Sequence, residues 1–194
     1  MIRPLLAALA LTLALPLAAC KQEVAQDVSP RDFSAETIGH YCQMNLLEHD
    51  GPKAQVHLEG IPDPLFFSQA RDAIAYMRAP EQIAPILAVY VNDMGHEGAT
   101  WETPGDGNWI TVEDAFFVLG SRREGGMGAP ETVPFGTEDA AQAFAETEGG
   151  TVLRLAAIPD SEVLAPVEMP EADPADDADF EDRLRALGRE KLLQ

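Results

Sequence analysis

The order of apolar segments repeats once along this chain, and the repeat limits the folds open to it. KAQVHLEG (53–60) and PLFFSQ (64–69) read as strands, ARDAIAYMRAPE (70–81) as a helix, and ILAVYVND (86–93) as a strand. The second pass offers WITVEDAFFVLG (109–120) and TVPFGT (132–137) as strands, EDAAQAFAETEGG (138–150) as a helix, and TVLRLAAI (151–158) as the closing strand. Glu138 and Asp139 suit the first turn of that second helix, and Gly149-Gly150 its end. Setting Phe67 on Phe135 brings Tyr76 onto Phe144, one aromatic in each helix. Two tandem ββαβ units predict an α+β fold with small, mostly antiparallel sheets. The competing reading is chance similarity within a small vocabulary of elements.

The flanks differ from this body. Residues 1–19 carry one basic residue, Arg3, then an apolar run of roughly a dozen residues, a secretory leader too short to stay in a bilayer as a spanning helix. The leader ends in Leu17-Ala18-Ala19-Cys20, a bacterial lipoprotein signature in which cleavage leaves Cys20 to carry the lipid. Several acyl chains hold a protein on a membrane more firmly than one. The expected address is the periplasm, lipid-anchored, with the inner or outer membrane left open. Residues 20–36 read as a lipidated polar tether. The body divides into 37–98, with the Cys-x-Met segment, and 99–165, with Met127. Residues 166–194 turn acidic, with eight acidic and no basic residues from Glu168 to Asp182, and read as a disordered tail. Phe180, Leu184 and Leu187 then fall at helical spacing, a short helix competing with a frayed terminus.

The formal charge is −20, which excludes electrostatic binding to nucleic acid. Of two cysteines, Cys20 is taken by lipid, so Cys42 is the one thiol left and has no intrachain partner. In an oxidising compartment such a thiol needs burial or occupation. Cys42-Gln43-Met44 puts two sulfurs at i and i+2, on one face if the segment is extended and apart if it is helical; Gly39 before it and Asp50-Gly51-Pro52 after it favour an extended or irregular segment. Gly125-Gly126-Met127-Gly128 sets a thioether in a glycine loop between strands, which is not how cores are built. Thiolate and thioether form a soft donor set, and soft donors select Cu(I). Of the four histidines His49 is the best-placed nitrogen, His40 and the Met94/His96 loop stand in reserve, and His57 reads as a sheet-surface residue. Trp101, Trp109, Phe116 and Phe117 read as core.

The segments CQMNLLEHDGPKAQ, AVYVNDMG, GNWITVEDAFFVLGS and GGMGAPETVPF, with GGTVLRL, resemble the NosL family of accessory lipoproteins from nitrous oxide reductase maturation. The resemblance runs from the leader motif to about Pro166. It implies a periplasmic Cu(I) carrier that delivers copper for the CuZ centre of nitrous oxide reductase, beside a membrane ABC-type maturation complex. It implies a fold of two ββαβ units, also seen in the organomercurial lyase MerB. It carries Cys42, Met44 and Met127 across as copper ligands. Many members have a second cysteine three positions before the first; here that position is Gly39, so a two-thiolate site is excluded. Two other classes compete with a non-enzymatic carrier: an enzyme using Cys42 as thiol nucleophile, and a passive scaffold lipoprotein in which Cys42 is structural.

Overall fold

The computed structural model describes residues 25–105 and 107–166, with Arg183 and Arg185. The leader, Cys20 and the Phe180–Leu187 periodicity lie outside the described residues. The elements are β1 (Ala54–Leu58), β2 (Leu65–Phe67), α1 (Ala70–Arg78), β3 (Ile86–Asn92), β4 (Trp109–Thr111), β5 (Phe116–Leu119), β6 (Val133–Phe135), α2 (Glu138–Glu148), β7 (Thr151–Arg154) and α3 (Asp160–Leu164). One antiparallel sheet runs β2-β1-β3-β4 and the other β6-β5-β7. In each unit the first strand is central, with the second on one side and the strand after the helix on the other. The expected α+β architecture with two ββαβ units is therefore present.

The register of the repeat holds down to single rings. Phe67 packs on Tyr76 at 5.6 Å between centroids and 49° between planes, and Phe135 on Phe144 at 5.1 Å and 48°. Helix α1 buries Ala70, Ala73 and Ile74, and Ala79-Pro80 ends it. Thr137 caps α2 by accepting a hydrogen bond from the Ala140 amide, and Gly149 closes it at φ 79°.

The segment 109–120, expected as one strand, is two. Glu113-Asp114 interrupts its alternation, and Thr111 and Asp114 close a turn through a 2.6 Å side-chain bond. Before the turn the chain extends the first sheet as β4. After it the chain becomes the centre of the second as β5. Successive β5 residues face opposite ways. Phe117 and Leu119 join the main core with Val56, Ile74 and Val91, while Val118 packs with Val133, Phe135 and Ala141. The closing strand also stops early, at Arg154, and turns into a 3₁₀ turn over Leu155–Ala157.

Residues 25–36, expected as part of a tether, lie along the outer face of the first sheet. The Gln26 amide donates to the carbonyls of Leu58 and Ile61, both at 2.9 Å. Gln55 accepts from the Arg31 amide at 2.8 Å and donates to the Arg31 carbonyl at 2.9 Å. Phe33 meets the rings of Phe66 and Trp109 edge-on. This strap explains why β1 is buried on both faces, and why His57, expected on the sheet surface, is 1% exposed against Gln55.

The two ring pairs make a paired prediction. Phe67→Leu and Phe135→Leu should each cost about 1–3 kcal/mol by denaturant unfolding. Only Phe67→Leu should quicken the reaction of Cys42 with a thiol reagent, because only that pair carries the Cys42 turn.

Candidate metal site

The Cys42 segment is a turn, not an extended run. Ile38 and Asn45 form an antiparallel bridge, and within it the Gly39 amide donates to the Met44 carbonyl and the Gln43 amide to the Gly39 carbonyl, both at 2.9 Å. Gln43 takes φ 55°, a costly conformation for a residue with a side chain, and its amide group holds the turn by donating to the His40 carbonyl at 2.6 Å. The alternation argument for Cys42 and Met44 therefore does not apply. What joins them is the turn itself, with Cys42 Sγ 3.9 Å from the Met44 carbonyl oxygen. Cys42 is half-buried and Met44 is 40% exposed. A Cβ at Gly39 would stand 2.5 Å from Cys42 Sγ, so positions 39 and 42 are neighbours in space and the glycine leaves the sulfur's flank open.

The turn rests on the ring pair of the first unit. Tyr41 meets Phe67 at 5.2 Å and Tyr76 at 6.3 Å, and His40 meets the same two rings at 5.5 Å each. Below it, Leu46 is fully buried, and Asn45 accepts from the Leu47 amide at the start of the 3₁₀ turn Leu46–Glu48.

Met127 comes from the other unit. Its loop is pinched by a Glu124–Pro130 bridge and by the Gly125 amide donating to the Ala129 carbonyl at 2.8 Å. The glycines are used for close approach. A Cβ at 125 would stand 2.6 Å from Gln69 Cδ and 2.7 Å from Glu131 Oε2, and a Cβ at 126 would collide with the His49 Cβ. The Met127 amide donates to Gln69 Oε1 at 2.8 Å, while the residue is 46% exposed. The Cys42 turn and the Met127 loop thus seat on one corner of the first unit, where β2 leads into α1.

His49 joins them. It is 7% exposed, and its Nδ1 lies 3.0 Å from the Gly126 carbonyl, which can only accept. Nδ1 therefore carries the proton and Nε2 keeps its lone pair; that atom is buried with no hydrogen-bond partner. A ring held by one nitrogen on a carbonyl, with the other free, is the usual arrangement of a metal-binding histidine. The other candidates are placed differently. His57 likewise holds Nε2 on Gln55 and leaves Nδ1 buried without a partner, but it lies on β1 under the 25–36 strap; His40 sits among rings, Met94 packs in the second core cluster, and His96 is exposed on the loop after β3. Among the described residues no three His, Cys, Asp or Glu side chains group closely enough to hold a metal by themselves.

Three buried polar residues support the site and were not singled out from the sequence: Lys53, Gln69 and Glu131. Lys53 Nζ donates to the carbonyls of His49 and Gly51 at 2.6 Å each, fixing the backbone that leads out of the segment. Burial lowers its pKa to about 8, against the pull of Glu131, Asp50 and Cys42. Glu131 accepts from the Arg71 amide at 3.0 Å and from its neighbour Thr132 at 2.8 Å. Burial pushes its carboxyl up to about 8, outweighing those donors. The visible signal was a lysine, a glutamine and a glutamate standing at the edges of apolar segments.

The NosL family model matches residues 30–163. The chain is 66% identical over 171 residues to the copper-binding lipoprotein NosL of Achromobacter cycloclastes, covering 88% of this chain and 89% of that protein. It is 35% identical over 149 residues to the copper-binding lipoprotein NosL of Stutzerimonas stutzeri, covering 75% of each. The crystal structure of the copper chaperone NosL from Shewanella denitrificans superposes with a TM-score of 0.62 at 29% identity, covering 67% of this chain and 95% of that one.

Two variants probe the geometry. Gly126→Ala should cost about 1–3 kcal/mol by denaturant unfolding, because the loop must lift off the His49 backbone. Glu131→Gln keeps the acceptor and removes the titration. The folded carboxyl holds its proton up to about 8 while the unfolded one releases it near 4.5, so wild-type stability falls as pH rises through that window. The variant's thermal midpoint should match the wild type near the lower limit and exceed it increasingly toward pH 8.

Proposed function

Since the chain belongs to the NosL family, we propose that it is a non-enzymatic, lipid-anchored periplasmic carrier of Cu(I) that delivers copper for assembly of the CuZ centre of nitrous oxide reductase. Copper is its cargo. Cys42, Met44, Met127 and His49 are the proposed donors, with the lipid on Cys20 as the anchor. One observation carries this reading: His49, packed on the glycines of the Met127 loop, holds its Nδ1 on the Gly126 carbonyl and leaves its buried Nε2 without a hydrogen-bond partner. Thiolate, thioether and neutral imidazole all suit Cu(I).

The same geometry suits release. Met44 and Met127 are both partly in solvent, so an acceptor's donor can replace a thioether without first unfolding the site. Methionine binds without giving up a proton, whereas Cys42 must lose one, so affinity should weaken as pH falls. Ile38, Tyr41 and Leu47 stand 48–58% exposed on or beside the Cys42 turn and supply an apolar rim for a docking partner. The proposed partners are the apo-reductase and its membrane ABC-type maturation complex. A catalytic role for Cys42 gains nothing from the geometry, since its sulfur faces the Met44 carbonyl, which cannot act as a base.

A competitive Cu(I) titration of the full lipidated chain in detergent, under anaerobic reducing conditions, tests the proposal. The wild type should take up one tight equivalent. Cys42→Ser should lose orders of magnitude in affinity, and Met127→Leu should weaken binding while keeping the side-chain volume. Normal binding by Cys42→Ser would sink the assignment.

A further inference from the structure

The repeat permits an internal comparison that isolates one residue. The offset that sets Phe67 on Phe135 sets Gln69 on Thr137, the residue at the N-terminal cap of each helix. In the second unit the cap is ordinary, with Thr137 Oγ1 accepting from its own helix. In the first unit Gln69 makes no cap bond, and it is 1% exposed. Its oxygen accepts from the Met127 amide of the other unit instead. The orphaned helix donor at Arg71 is served from outside by Glu131, which is itself 2% exposed.

The loops differ between the units in the matching way. Between the first two strands the chain runs over 59–64 in the first unit and over 120–132 in the second. The longer loop carries Met127, and it reaches the cap of the first unit. There Gly125 lies so close to both Gln69 and Glu131 that no side chain fits. Local helix capping has been given up at the one helix start where the methionine loop lands.

We propose that Gln69 is a positioning residue for copper binding: with Glu131 taking over the helix cap, its amide oxygen fixes the Met127 backbone so that the thioether meets the metal from a fixed root. This deepens the copper reading and rests on Met127 being a donor. Gln69 touches no metal and acts through Met127. The consequence is a division of labour within one residue, with the Met127 backbone held and its side chain left free to let copper go.

Gln69→Thr tests this, because it installs the cap of the second unit while removing the Met127 acceptor. In the full lipidated chain, the variant should retain or gain thermal stability yet bind Cu(I) about 10–100-fold more weakly, the range typical for loss of a group that orients a ligand. The Met127 methyl resonance of the copper-free protein, ¹³C-labelled, should shift and sharpen. In a Met127→Leu background the same substitution should change Cu(I) affinity no further. Should Gln69→Thr fail to fold, Gln69→Leu keeps the volume and removes the acceptor, and the same readings apply. Wild-type affinity in the Gln69 variant, beside weakened binding in Met127→Leu, would overturn this inference and leave the copper reading standing. An additive loss in the Met127→Leu background would also overturn it, by showing that Gln69 acts elsewhere. Normal binding by Met127→Leu alone would remove the premise.

Discussion

The structure hangs on β5, a strand of four residues that belongs to both cores. Phe117 is fully buried among the first unit's apolar residues, and Val118, next in the chain, is fully buried among those of the second. Neither unit alone has enough sheet or helix to close a core, and a period-two strand is the means by which one segment can serve two. The bond from the Gly136 amide to Asp93 and that from the Met94 amide to the Pro134 carbonyl, 2.8 and 2.9 Å, tie the sheets at a second place. With the units locked, the loop that leaves β5 has a determined landing point.

That landing point is the candidate site. The Cys42 turn precedes the first unit and is stacked on its ring pair. The Met127 loop belongs to the second unit and is seated on the helix start beside that pair. His49, five residues beyond Met44, meets the loop, with its Nδ1 on the Gly126 carbonyl and its Cβ against Gly126 itself. The proposed donors come from both halves of the chain, so their spacing depends on the whole fold, while Met44 and Met127 stay partly in solvent.

The repeat, its strand order and its ring pairs were legible in the chain because hydrophobic periodicity and helix-end residues are local signals, and Phe67, Tyr76, Phe135 and Phe144 kept their spacing. The break at Glu113-Asp114 was visible too, as two acids within an alternating run, but its meaning was not, since which sheet a strand joins is settled by pairing across distance. The strap over residues 25–36 was misread for the same reason. A polar segment looks like a linker until Gln26 and Gln55 are seen to satisfy its backbone and its neighbours'.

Among the site residues, residue type alone marked Cys42, Met44 and Met127 as soft donors, because sulfur chemistry belongs to the side chain wherever it lies. The sequence likewise determined that glycines would flank Met127, and it offered His49, after Met44, as the best-placed nitrogen. Only the tertiary structure decided that His49 has one nitrogen committed and the other free, that the glycines are there for contact with His49, Gln69 and Glu131, and that a buried lysine anchors the backbone behind them. The contacts from His49 and Gln69 to the Met127 loop join residues 58 to 77 positions apart, and packing at that separation leaves no periodic trace in a single chain.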